Sequence, residues 1–360
     1  MLELQLTYSL KINTGNKNTA RFFMSTKQNV IAHRGASGYL PEHSIEAKAM
    51  AYAMGADFIE QDIVMTKDDQ LLVLHDLFLD NTSNVASRFP LRAREDGRYY
   101  VIDFTLAEIQ SLDMCEFFDI DKDGNKTVHF KHRFPLDKGK FKAHTLQQEI
   151  ELIQGLNKST GKDIGIYTEI KSPFFHQQHD KDITLAVLTV LKEYGYQQQQ
   201  DNVYLQCFDH DCLQRIKFQL FSALNIDLKL VQLIADTDWQ VTHYEDNGEV
   251  KNYNYDWMFE ADGMKKIALY ADAIGPWFQH LASETKQTPF YKINAMTEQA
   301  HEAGLFVHPY TFRREEEHLP NYVKDFEQLL DIFLNKIKID GLFTDFPDLA
   351  VNFLNKNTSD

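Results

Sequence analysis

Cysteine is scarce in this chain: Cys115, Cys207 and Cys212 are the 3 among 360 residues. So small and odd a number does not describe a disulfide scaffold, and free thiols are the expected state. Cys207, His210 and Cys212 stand close together, but their spacing matches no standard zinc finger or ribbon and a fourth ligand is lacking, so no zinc site is expected. No apolar run approaches the roughly 20 residues that a membrane-spanning helix needs. Basic residues are also in deficit, with 37 Lys and Arg against 53 Asp and Glu and a net charge of -16. That balance opposes long-range attraction to nucleic acid or to an anionic membrane, so an anionic substrate needs local cations or a metal to attract it. The first 24 residues, MLELQLTYSLKINTGNKNTARFFM, have no continuous apolar segment after a basic start. They do not read as a secretory signal, and their polar character predicts disorder.

What is present is an ordinary globular composition, 43% apolar and 25% charged. The length suits one large α/β barrel with insertions, or two ordinary domains. Eight short apolar or β-branched runs stand out as strands: 29–33, 58–62, 164–170, 203–208, 229–234, 272–275, 305–310 and 341–345. Helical segments alternate with them. PEHSIEAKAMAYAMGA opens with Pro41 and acidic Glu42, sets Ile45, Ala49, Tyr52 and Ala53 on one face and stops at Gly55. TLQQEIELIQGL has Thr145 as N-cap and Gln148 three residues on. DFPDLAVNFL closes the chain with Leu349, Phe353 and Leu354 facing inward. Eight strand-helix units predict a (β/α)8 barrel over residues 25–360. Two stretches break the alternation, 77–144 and 236–262, and read as insertions over the barrel mouth that shape a substrate site. Within the first, Asp119, Asp121, Asp123 and Gly124 imitate the start of a calcium-binding loop, but Phe130 stands where its last ligand should be, so an acidic surface turn is expected.

The stretch FIEQDIVMTKDDQLLVLHD, residues 58–76, is joined too tightly for parallel strands and must form a hairpin. A two-residue turn at Asp68 and Asp69 pairs Val64 with Val73 and Asp62 with His75; a longer turn shifts this by about a residue. Strand period puts Glu60 and Asp62 on one face, and Glu169 and Lys171 likewise in the third strand. A lone carboxylate pair is usually solvated. These interrupt apolar strands, and buried carboxylates need a cation. Glu60, Asp62 and Glu169 make an all-oxygen set that suits Ca²⁺ or Mg²⁺ over Zn²⁺. His33, Arg34 and Gly35 end the first strand, where Arg can bind an anion and Gly permits close backbone approach. A single strand-end histidine is more often structural, but His33 and His75 flanking such a site suit a general acid and base near neutral pH.

The segment IAHRGASGYLPEHSIEAKAMAYAMGADFIEQDIVMTKDDQLLVLHD closely resembles the signature of bacterial glycerophosphodiester phosphodiesterases, in particular the periplasmic, glycerol-3-phosphate-forming type. The likeness continues through RFPLRAREDGRYYVIDFTLAEI, GIYTEIKSP, VYLQCFD, VQLIADTDW, NYNYDWMF, VHPYT and GLFTDFPD, covering nearly all of the chain from residue 29. The resemblance implies a barrel with a divalent cation, commonly Ca²⁺ with Mg²⁺ as the alternative, on Glu60, Asp62 and Glu169. It implies His33 and His75 as the acid/base pair, and Arg34 and Lys171 as phosphate contacts. The implied reaction converts glycerophosphocholine, glycerophosphoethanolamine and similar diesters to glycerol 3-phosphate and an alcohol, through attack of the glycerol 2-hydroxyl. A homodimer is compatible with it. Location is periplasmic by resemblance, with the cytoplasm as alternative because no signal is visible. Many relatives have Asn-Thr where His43 and Ser44 follow Glu42; this leaves Glu42 in the ligand shell but weakens any role for position 43. Phe208 and His308 are taken as pocket residues, with Trp277 and Asp345 also at strand ends, although each can equally fill a barrel layer.

Other functions fit less well. A barrel amidohydrolase needs a His-x-His pair after the first strand, which HRG does not supply. A non-catalytic binding protein predicts loss of at least one metal or acid/base position, and none is lost.

Overall fold

The computed structural model describes residues 27–286 and 290–357, so the expected disorder of residues 1–24 lies outside the described residues. The principal sheet contains β1 (Asn29–Ala32), β2 (Phe58–Met65), β3 (Leu71–Val73), β4 (Gly165–Ile170), β5 (Val203–Cys207), β6 (Lys229–Ile234), β7 (Ala273–Pro276), β8 (Phe306–Val307) and β9 (Gly341–Thr344). Eight of these run parallel in the order β8-β7-β6-β5-β4-β2-β1-β9, and β3 pairs with β2 alone. Main-chain bonds close the seam between β8 and β9: Asp340 N–H donates to Val307 and Phe343 N–H to Pro309, both at 3.0 Å. This is the expected (β/α)8 barrel, each strand lying within three residues of its expected limits.

Local sequence explains the outer layer. The helix Ile45–Met54 starts at Ser44, whose side chain accepts from Ala47 N–H, and stops at Gly55 in the left-handed conformation, φ 86°. It therefore begins four residues after the Pro41 start read from sequence. Its buried residues are Ala47, Lys48, Ala51 and Tyr52, so the inward face is rotated from the one expected. The helix Leu146–Thr160 has the predicted capping box between Thr145 and Gln148. In the last helix, Pro347–Asn357, Ala350 and Phe353 are buried, with Leu349 and Leu354 packed against the core.

The hairpin differs by one residue from the two-residue-turn register. Ile63 pairs with Val73, and Leu74 N–H donates to Asp62 at 3.0 Å. The cause is the turn. Thr66 N–H donates to Gln70 across three intervening residues, with Asp69 left-handed at φ 60°, the longer loop that shifts pairing.

Inside the barrel, Ile31, Phe58, Tyr167, Tyr204, Val231, Ala273 and Phe343 fill one layer. Residues 77–144 build a second core against the hairpin, in which Leu79, Val85, Val101, Phe104, Ile109 and Leu112 cover Val64, Leu72 and Leu74. The acidic stretch in this segment turns between two short antiparallel strands, Phe118–Ile120 and Lys126–Val128, with Asp121 accepting from Asp123 and Asn125 N–H. All three cysteines are buried and free. Among the described residues, no helix is long and apolar enough to cross a membrane.

Candidate active site

A cavity of about 390 Å³ opens at the C-terminal ends of the strands. Its reactive side is lined by His33, Arg34, Glu60, Asp62, His75, Glu169 and Lys171; Phe208, Trp239, Trp277 and Tyr310 form an aromatic side. Strand register explains the crowding. Asp62 on β2 lies directly opposite Glu169 on β4, and Glu60 shares its face two residues earlier. Like charges set opposite each other destabilise a sheet. Here all three carboxylates are buried and offer oxygens within 4.8 Å of one another, the one such metal-competent cluster among the described residues.

Electrostatics follow from that burial. Desolvation, then the neighbouring Asp62 charge, hold Glu60 well above the usual carboxylate range. Desolvation raises Glu169 to about 8 despite Lys171 at 2.8 Å. Desolvation also opposes ionisation of Asp62, but the Lys171 charge and a hydrogen bond from His43 outweigh it and hold this carboxyl well below the usual range. One atom of the cluster, Asp62 Oδ1, has no hydrogen-bond partner.

His33 follows β1 and Asp345 follows β9, and the pairing of Ala32 with Thr344 brings the two together. His33 Nδ1 lies 2.6 Å from Asp345, whose other oxygen accepts from Arg133 at 2.6 Å and Arg313 at 2.7 Å. Burial, with the Arg34 charge next, pushes His33 down to about 4, so the ring is neutral at pH 7 and donates from Nδ1. His75 makes the same kind of pair with Asp76, Nδ1 to Oδ1 at 2.6 Å. Burial lowers the His75 pKa too, while at Asp76 desolvation is outweighed by the hydrogen bond and charge of His75 together with the charges of Arg34 and Lys171, which pull that carboxyl to about 2. In each imidazole the bonded Nδ1 leaves Nε2 as the nitrogen available to a substrate.

Arg34 is held in a left-handed backbone conformation, φ 57°, with its N–H donated to Glu60 at 2.5 Å. Gly35 follows at φ 88°, and a Cβ there would come within 2.8 Å of the Ala47 main chain. The Arg34 guanidinium reaches Glu42 at 2.7 Å and Asp62 at 3.6 Å.

Of the residues read from sequence, His33, Arg34, Glu60, Asp62, His75, Glu169, Lys171 and Phe208 share the cavity wall, as does Trp277. Glu42 stands behind Arg34. His308 does not reach the cavity: it is packed in the barrel interior, its Nδ1 2.9 Å from the Tyr167 hydroxyl. That corrects its place as a pocket residue. At position 43, where little role is expected from sequence, His43 Nε2 lies 2.9 Å from Asp62. Arg133, Arg313 and Trp239 were missed. They come from loops with no strand period, and the Glu-rich or aromatic sequence around them carries no spacing that points inward.

The glycerophosphoryl diester phosphodiesterase family model matches residues 33–349. A glycerophosphodiester phosphodiesterase of Haemophilus influenzae is 50% identical over 341 residues, 94% of this chain and 93% of that protein. One from Treponema pallidum is 42% identical over 334 residues, 92% of this chain and 93% of that protein. Among solved structures, a putative glycerophosphoryl diester phosphodiesterase from Silicibacter pomeroyi shares the fold at a TM-score of 0.62 and 21% identity, over 92% of this chain and 94% of that one. So does an Oleispira antarctica phosphodiesterase in complex with the product sn-glycerol-3-phosphate, at a TM-score of 0.56 and 18% identity, over 91% of this chain and 96% of that one.

Proposed function

The chain belongs to the glycerophosphoryl diester phosphodiesterase family and is a phosphodiester hydrolase of that kind; from that premise we propose that His33 and His75 are its acid and base, Arg34 and Lys171 its phosphate contacts, and Glu60, Asp62 and Glu169 the ligands of a divalent cation. The observation that carries the reading is the shared wall of one cavity: two imidazoles, two cations and three buried carboxylates.

The carboxylates fit a cation on their own chemistry. Three buried acids face Arg34 and Lys171, and Asp62 Oδ1 is an orphaned acceptor inside the cluster. Burial without a partner is costly, and an all-oxygen donor set suits Ca²⁺ or Mg²⁺. When bound there, such a cation lowers the pKa of a coordinated hydroxyl and offsets phosphate charge.

The residues then divide the work. Arg34 and Lys171 draw the phosphate to the reactive side and stabilise charge that builds on its oxygens. The glycerol 2-hydroxyl attacks phosphorus, one imidazole takes its proton at Nε2, and the other protonates the departing alcohol oxygen as the P–O bond breaks. Each transfer contributes about 10²- to 10⁴-fold in rate. Water then opens the cyclic phosphodiester with the two histidines in reversed roles, giving sn-glycerol 3-phosphate. An attacking group within the substrate adds a proximity advantage.

The test is incubation with glycerophosphocholine or glycerophosphoethanolamine, with assay of sn-glycerol 3-phosphate. Product is expected with Ca²⁺ or Mg²⁺ and its loss with chelator. Full activity in chelator would remove the cation from this account.

A further inference from the structure

Four buried polar side chains run outward from Asp62 through the barrel wall, and none of them lines the cavity. Asp62 Oδ2 is 2.9 Å from His43 Nε2, and His43 Nδ1 is 3.3 Å from Lys48 Nζ. Lys48 Nζ is 3.1 Å from Glu149 Oε1, and Glu149 Oε2 is 2.8 Å from His144 Nε2. Lys48 and Glu149 are both 0% exposed. A lysine so deep persists only when fully paired. Lys48 is ion-paired with Glu149 and has two hydrogen-bond acceptors, the His43 ring nitrogen and the main-chain carbonyl of Glu60.

The direction of these bonds is forced. An ammonium only donates, so His43 Nδ1 accepts and the ring's single proton sits on Nε2, where it donates to Asp62. That bond occupies Oδ2. The other oxygen, Oδ1, is left without a hydrogen bond beside Glu60 and Glu169. The same ammonium also holds the strand carbonyl of Glu60. Glu149, on the neighbouring helix and bonded to His144, balances its charge.

We propose that His43 and Lys48 are positioning residues for the divalent-cation site: Lys48 locks the His43 tautomer, and His43 fixes which oxygen of Asp62 faces the cation. The proposal rests on Glu60, Asp62 and Glu169 being the ligands, as argued above. Hydrogen-bonded partners of this kind orient ligands without touching the metal or the substrate.

The test is calorimetric titration of the chelator-stripped protein with CaCl₂, and separately with MgCl₂, which reads binding without turnover. His43→Phe fills the ring's place but donates nothing; cation affinity, read on protein shown by circular dichroism to be folded, falls about 10- to 100-fold, and some melting temperature is lost because Lys48 loses an acceptor. His43→Gln, whose amide can donate to Asp62, recovers most of that loss. Lys48→Met alone would strand the buried Glu149 charge, so the companion variant is Lys48→Met with Glu149→Gln, which removes both charges together. It too loses affinity, because Nδ1 is free to take the proton. Wild-type affinity in folded His43→Phe, or in the folded double variant, overturns the proposal. No binding by wild type would overturn the ligand assignment and the proposal with it.

Discussion

His33 and Asp345 are 312 positions apart in the chain and 2.6 Å apart in space, and the carboxylate that fixes the imidazole is itself held by Arg133 and Arg313. The arrangement gives His33 one tautomer, with Nδ1 donating and Nε2 open to the cavity. Arg133 comes from the segment inserted after the hairpin, so that segment contributes to the order of the site as well as to its cover.

Asp345→Asn keeps the shape of this contact, but its amide group can turn a donor toward Nδ1 and favour the wrong tautomer. It should lower kcat by about 10²- to 10⁴-fold, the range of one acid/base transfer, with little change in KM. Arg133→Met should lower kcat less but cost stability on the order of 3 kcal/mol, since it leaves the buried Glu315 charge without its arginine and Asp345 with Arg313 as its remaining arginine. Steady-state kinetics with glycerophosphocholine and denaturant unfolding check the two effects. Unchanged kcat in Asp345→Asn would separate His33 from catalysis.

Trp239 and Trp277 meet edge-to-face at 5.3 Å in the wall of the cavity. Aromatic faces attract ammonium groups by about 0.5 to 2 kcal/mol, which is roughly 2- to 30-fold in binding. Trp239→Ala should therefore raise KM for glycerophosphocholine by that factor and leave KM for glycerophosphoglycerol nearly unchanged. Equal effects on both would show that the ring packs without reading the alcohol.

His176 and His308 are buried and His33 partly so, and all three are held near 4, chiefly by desolvation. His176 is bonded on both sides as a neutral ring, Nδ1 to Ser172 O at 3.0 Å and Nε2 accepting from Met65 N–H at 3.1 Å. Their folded pKa values lie below the unfolded value of about 6.5. The unfolded chain thus binds more protons between the two. Stability is full above pH 6.5 and falls as pH drops toward 4, by up to about 1.4 kcal/mol per pH unit for each histidine. Denaturant unfolding at pH 7 and pH 5 checks the slope, which His176→Gln should make shallower by one proton. A slope unchanged by that variant would mean His176 titrates normally.

The legible part of the site is the part carried by strands. Period two placed Glu60 with Asp62 and Glu169 with Lys171, because alternation along a strand decides which residues share a face. Register was less legible, since it depends on whether Thr66 or Lys67 closes the turn, and that is a matter of one hydrogen bond. The loop contributions of Arg133, Arg313 and Trp239 were hidden for a similar reason: a loop has no period to extrapolate. His43 was undervalued because its partner, Asp62, lies 19 positions away, and only the turn from Pro41 to Ser44 aims the ring at it. His308 was overvalued because a strand-end position does not reveal which layer a side chain enters; Gly341 beside it leaves room for the ring inside the barrel.

The most direct measurement is the turnover of glycerophosphocholine by wild type, His33→Ala and His75→Ala, each shown to be folded, with release of sn-glycerol 3-phosphate followed over time. The account predicts rapid release by wild type and a loss of at least about 10²-fold in each variant. Wild-type rates in either variant would contradict the assignment of that histidine, and no release by wild type in Ca²⁺ or Mg²⁺ would contradict the reaction itself.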